Sequence, residues 1–361
     1  MRFVKNLSLA AFIVVLIGVL LIDQTGIGEG EAFNLVSDAA WKHHTLETKV
    51  APEIEGMFPL EGDLFQWMRK DADALEKALG EPDRKDMSAY GYTWWVYASQ
   101  PESYIQFGIL EGEVVTIYAT GDGLDLSPVH IGQQYESAAD AYAASGDFQF
   151  SDEVNYSGGF SSYTFLLNEE DLKSRPLVKV DHDTFIQNYF DTFTNKLSSI
   201  RVLTADILLK HRPYELQYRG SLPEEPNLSD EAWEEVEMGM EQQIFDITNV
   251  IRQRHDSPPL SWEGDVHEVA FLHSKDMAEN DYFSHYGLNG DGLKERLSEL
   301  DVFYRTAGEN IAAQYSDAPS AMEGWLNSEG HREALFNEEY THLGVGVYRL
   351  YYTQNFLEKP M

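Results

Sequence analysis

The chain contains no cysteine. That excludes disulfide staples, thiolate metal sites, a cysteine nucleophile and a lipid anchor attached through cysteine. Basic residues are also scarce, with 26 Lys and Arg against 61 Asp and Glu and a net charge of −35. A surface of that sign repels phosphate backbones and anionic headgroups. It argues against nucleic acid as a partner and against membrane binding through a basic patch. The acidity itself reads as an exported protein's adaptation to its medium. No Asp-x-Asp-x-Asp-Gly run supports a calcium loop. The first half has no Gly-rich phosphate loop, and the second half has no Gly-x-Ser-x-Gly elbow. A zincin helix needs histidines four residues apart, whereas His267 and His273 are six apart.

What is present is ample core material. Hydrophobic residues make up 43% of 361, and aromatics 13%, which suits two folded domains and excludes global disorder. One long apolar run exists, from Leu7 to Ile22, preceded by Arg2 and Lys5. This is the pattern of an export signal. No Ala-x-Ala site follows, so an uncleaved anchor is expected over residues 1–30. Arg2 and Lys5 would then lie in the cytoplasm and both domains outside. The expected location is the cell membrane, single-pass with extracellular domains; the alternative is secretion.

Residues 31–55 read as a polar linker. Residues 56–220 read as a first α+β domain, with a helix at Asp63–Leu79. Its strands fall near Thr93–Ser99, Ser103–Leu110, Val114–Ala119, Ser162–Asn168 and Leu197–Thr204. Trp94 and Trp95 are adjacent, so on a strand they face opposite sides. A second linker covers 221–234, within which Ser229 can cap a helix running to Arg254. Further helices are expected at Asp265–Glu279, Gly292–Leu300 and Ala318–Asn327. Two closing strands are expected at His342–Leu350 and Tyr351–Leu357. Helices first and an antiparallel pair last argue for an α+β fold rather than a wound parallel sheet.

The chemistry-bearing motifs lie in residues 235–361. In order they are Asp281-Tyr-Phe-Ser-His285, Gly308-Glu-Asn-Ile-Ala312, Trp325-Leu-Asn-Ser-Glu-Gly-His-Arg332 and Gly344-Val-Gly-Val347. In this order and spacing the segment resembles a CAP (SCP-like) domain of the bacterial branch. Leu260-Ser-Trp262 and the helix at His273-Ser-Lys-Asp-Met-Ala278 carry the match further. Leu79-Gly-Glu-Pro82 and Tyr90–Tyr97 resemble the companion domain that precedes CAP domains in membrane-anchored Bacillus proteins. The resemblance implies an α-β-α sandwich for 235–361, a binding or scaffolding role, and an envelope or extracellular ligand: a lipid, a wall component or a protein. It also implies a cleft tetrad of two His and two Glu. His285, Glu309 and His331 match three of these positions. The fourth, three residues after Trp325, is Ser328, and Glu329 is one residue out of register, so the tetrad is incomplete.

The residue types carry their own reading. Two imidazoles and a carboxylate suit zinc with a coordination position left open. His285 and His331 are the candidate metal ligands, and Glu309 is the candidate general base of a metal-dependent hydrolase. The alternative is that both histidines only make structural hydrogen bonds. The three lie on separate segments, so their convergence is for the fold to decide. His273 falls on the apolar stripe of its helix and reads as a core histidine with its polar atoms satisfied.

Overall fold

The computed structural model describes residues 62–145 and 149–359. The expected anchor and the first linker lie outside the described residues. Among those described, no helix is long and apolar enough to cross a membrane.

The first domain opens with a tight helical turn at Phe65–Trp67 and then helix α1 (Ala72–Leu79). The single helix expected over Asp63–Leu79 is broken at Arg69, where φ is +62°. Asp71 restarts it by accepting from the amides of Asp73 and Ala74. Strands β1 (Arg84–Met87), β2 (Thr93–Tyr97), β3 (Ser103–Leu110) and β4 (Glu113–Gly121) follow, then α2 (Tyr135–Ser145). Next come β5 (Glu153–Gly158), β6 (Ser161–Leu166), α3 (Glu169–Ser174), β7 (Leu177–Lys179) and β8 (Thr184–Asp191). The domain ends with β9 (Lys196–Thr204), α4 (Ala205–His211) and β10 (Glu215–Arg219). Seven strands form one antiparallel sheet in the order β1-β2-β3-β4-β9-β8-β7, and β10-β6-β5 form a second. Every residue of β8 is buried, so the large sheet is covered on both faces there. The adjacent tryptophans separate as alternation requires: Trp94 is in the core, and half-buried Trp95 lies under the Lys85 ammonium.

The second domain begins with α5 (Asp230–Arg254), whose first turn is capped by the Ser229 hydroxyl. Strand β11 (Ser261–Trp262), α6 (Gly264–Glu279), α7 (Leu293–Glu299) and β12 (Thr306–Ala313) follow. Then come α8 (Ala318–Leu326), α9 (Glu329–Phe336), β13 (His342–Tyr348) and β14 (Tyr351–Glu358). The sheet order is β11-β13-β14-β12. Leu343, Val345 and Val347 pack into the core shared with α5 and α8. Gly344 and Gly346, alternating with them, face α6. A Cβ at Gly344 would overlap the Val266 and His267 backbone, and one at Gly346 that of Ala270 and Phe271. The glycines thus let a helix lie directly on the sheet. With α5, α8 and α9 on one face and α6 and α7 on the other, the domain is the expected α-β-α sandwich.

The domains join through a buried polar seam. The Arg201 guanidinium pairs with Asp317 at 2.8 Å, and both are almost wholly buried. Gln243 donates to Asp86, and a Cβ on Gly239 would come within 2.7 Å of the Asp86 side chain. Arg254 donates to the Ser198 carbonyl, and Arg332 pairs with Asp191. Asn327 donates to the Phe190 carbonyl and accepts from Thr192. Buried apolar residues of both domains merge into one core.

Candidate functional site

β12 is the terminal strand of the second domain's sheet, and the candidate residues gather around it. The Gly-Glu-Asn motif is not a turn: Glu309 lies in the middle of β12, directly opposite Asn355 of β14. The glycine has another use: Gly308 leaves room for the Tyr340 ring, which a Cβ would strike. By alternation Glu309 shares the α6/α7 face with Ala307, while Asn310 points to the opposite face. There Asn310 donates to the His331 carbonyl and to Gln354. His331 stands in the first turn of α9, and His285 in the loop between α6 and α7.

Glu309 is 4% exposed. Its Oε1 accepts from His285 Nδ1 at 2.9 Å and from Arg296 at 3.0 Å, and Oε2 lies 2.9 Å from the second guanidinium nitrogen. Burial alone raises its pKa, but Arg296 and then the hydrogen bond from His285 outweigh it and hold the carboxyl at about 2. Arg296 of α7 also donates to the His285 carbonyl, tying the loop to the helix.

The bond to Glu309 fixes the imidazole of His285. Nδ1 donates to a carboxylate, which leaves Nε2 as its uncommitted atom, and Nε2 is buried without a partner. His331 Nε2 is likewise buried without a partner. Burial, with a smaller push from His285, lowers His331 to about 4, so it is neutral near pH 7. Two buried imidazole nitrogens with no partner suit a divalent transition metal, and a carboxylate behind one of them orients it as in other histidine metal sites. His285 and His331 therefore fit zinc as ligands. Glu309 stands behind His285 rather than beside the two free nitrogens. Among the described residues, only Asp181, His182 and Asp183 form a group of three His, Asp or Glu whose ligand atoms all lie within 4.8 Å. That group sits on the turn from β7 to β8.

Two members of the cluster escaped the sequence reading. Arg296 showed only as part of a helix pattern. His273 was read as a satisfied core histidine. It is buried as expected, and its Nε2 donates to the Ser284 carbonyl at 3.0 Å. Its Nδ1, however, has no partner. Burial lowers it to about 4, with nearby Glu309 opposing that. Ser328, where the resembled tetrad has a second Glu, caps α9 without a side-chain bond, and Glu329 beside it is exposed.

Comparison with known proteins agrees with this architecture. The family model for the CAP-associated N-terminal domain matches residues 68–214, and that for the cysteine-rich secretory protein family matches 245–357. The chain is 49% identical over 296 residues to the uncharacterized membrane protein YlbC of Bacillus subtilis, covering 82% of this chain and 84% of that one. The crystal structure of an extracellular SCP-domain protein from Bacillus anthracis superposes with a TM-score of 0.77 at 41% identity, over 87% of this chain and 99% of that one. A cysteine-rich secretory protein from Staphylococcus aureus gives 0.73 at 28% identity, over 84% and 98%.

Proposed function

The chain belongs to the cysteine-rich secretory protein (CAP) family, in the form that carries a CAP-associated N-terminal domain, and from that premise we propose that it is an extracellular binding module held at the cell membrane. The apolar run at 7–22 serves as the anchor, and the cleft around His285 and His331 grips an envelope ligand, whether lipid, wall component or protein. The name of the Bacillus subtilis relative and the extracellular origin of the superposed structure support this location. Protease treatment of intact protoplasts tests it. Digestion of both domains with the N-terminal segment retained is expected, and full protection refutes the topology.

One observation favours binding over catalysis. Glu309, the carboxylate that bonds His285, has both oxygens within 3.0 Å of the Arg296 guanidinium and is held at about 2. A carboxylate so stabilised is a weak general base near pH 7. A hydrolase using the same cleft would need a base from elsewhere. Metal-stimulated cleavage of a peptide library, lost in Glu309→Gln, would establish that second reading and refute the first.

His285 and His331 are the residues that would hold zinc, through their free Nε2 atoms. Zinc there would supply a fixed positive charge for a ligand's oxygen. Glu309 orients the His285 ring through Nδ1, and Arg296 holds Glu309. Calorimetry should show one zinc bound by the full chain. The double variant His285→Ala/His331→Ala should bind at least tenfold more weakly, and unchanged uptake ends the metal assignment.

A further inference from the structure

A cavity of about 410 Å³ lies between α6 and α7, beneath the loop at 287–291, on the far side of His273 and Arg296 from Glu309. We propose that this cavity is a second binding site, separate from the His285/His331 cleft, and that it takes a short peptide segment with an apolar residue next to a lysine or arginine.

The lining has three parts, each matching one part of such a segment. Leu272, Leu288 and Leu300 line the cavity and are 46%, 71% and 39% exposed. Exposed leucines gathered on one concavity leave apolar surface in water until an apolar side chain covers it. Asp276, Asp291 and Glu299 line it too. Asp276 accepts from Asn280 and from the Tyr282 hydroxyl, and Asp291 from Asn289. None of the three carboxylates has an ion pair with Lys or Arg among the described residues. The nearby guanidinium of Arg296 is committed to Glu309. The local charge is therefore uncompensated and complements a cationic side chain.

The inner wall supplies the third part. His273 brings a buried acceptor, Nδ1, and Arg296 a buried donor, Nε–H, and neither has a partner. An unpartnered buried polar group is costly and is a natural seat for a ligand's polar atoms. A peptide group is the unit that offers one N–H and one C=O together. The volume suits a few residues of extended chain rather than a folded surface. An anionic or purely apolar ligand would leave either the carboxylates or the two wall nitrogens unanswered.

The test is calorimetric titration of the full chain with Ac-Leu-Lys-N-methylamide, against the Ac-Leu-Glu and Ac-Leu-norleucine analogues. The lysine probe should bind at least tenfold more tightly than either analogue. It should weaken severalfold between 0.05 and about 0.5 M salt, as exposed charges are screened. Leu288→Ser and Glu299→Lys alter exposed side chains and leave the core alone, and each should cost tenfold or more. His331→Ala should leave the affinity unchanged, which separates this site from the cleft. Equal binding of the three probes, indifference to Leu288→Ser, or loss on His331→Ala would each overturn the proposal.

Discussion

Glu323 of α8 is buried at the seam between the domains, and replacing it by Gln makes the sharpest stability test. Its Oε1 accepts from the hydroxyls of Ser199 at 2.5 Å and of Ser198 and Tyr118 at 3.3 Å, all in the first domain. Its Oε2 is buried with no partner. Burial raises the carboxyl to about 7, against the opposing bond from Ser199 and the charge of Arg254. A folded pKa above the unfolded value of about 4.5 means the folded state holds its proton longer. The resulting stability is fully present below pH 4.5 and is lost as pH rises through 7. The difference corresponds to about 3 kcal/mol between acid and alkaline conditions. Gln keeps an acceptor for the three hydroxyls and carries no charge. The other titrating groups are common to both proteins, so in urea denaturation at pH 5 and pH 9 the difference between wild type and Glu323→Gln isolates this carboxyl. The wild type should lose about 3 kcal/mol at pH 9 relative to the variant. Parallel behaviour of the two proteins between pH 5 and 9 would show that the carboxyl is not buried as charge, and the account of the seam would fall.

Three further outcomes follow from the same structure. Glu309→Gln leaves the Arg296 guanidinium unpaired and should cost about 3–5 kcal/mol by thermal or urea unfolding at pH 7. Because Glu309 is held at about 2, its contribution is present above pH 4.5 and fades as pH falls towards 2, so the variant's deficit should shrink in acid. Arg201→Met strands Asp317, which Arg201 holds below the usual carboxylate range against the effect of burial. A loss of about 3–5 kcal/mol at pH 7 is expected, diminishing in acid as Asp317 becomes protonated, and measured by denaturant midpoints at the two pH values. Gly346→Val drives a side chain into the α6 backbone and should destabilise by about 3 kcal/mol or more, read as a lowered Tm, whereas Val345→Ile on the opposite face should cost less.

Legibility in the sequence followed how a segment earns its structure. Helices α5, α6, α7 and α8 were readable because apolar spacing and capping residues such as Ser229 act locally, and their ends fall within a residue or two of expectation. Strand β12 was not readable. Thr306-Ala-Gly-Glu-Asn-Ile-Ala-Ala313 has little β-branched content and no alternation, and it is a strand because β14 pairs with it along its whole length. β8 failed for the opposite reason: it is buried on both faces, so polar residues such as Gln187 and Asn188 interrupt any pattern while satisfying partners in the core. The candidate site was legible as three residues and not as a cluster. His285, Glu309 and His331 stand in recognisable motifs, but Arg296 lies in a helix whose sequence announces only amphipathicity. Only the packing of α7 beside β12 reveals that this arginine sets the protonation of Glu309.

The same packing gives a physical reason for the companion domain. α8 carries Asp317 at its cap and Glu323 within it, both of which find their partners in the first domain. Asn327 and Arg332, on either side of His331's turn, bond to Phe190 and Asp191 there. The segment that presents His331 is thus held on one side by Asn310 of β12 and on the other by β8. Without the first domain, Asp317 and Glu323 would lose their buried partners, and the segment around α9 would lose its bonds to Phe190 and Asp191. The two domains therefore form one folding unit around α8 and α9. Substitutions in β8 or β9, far from any candidate ligand, should move His331 before they move His285, because His285 is fixed by Glu309 and Arg296 within the second domain alone.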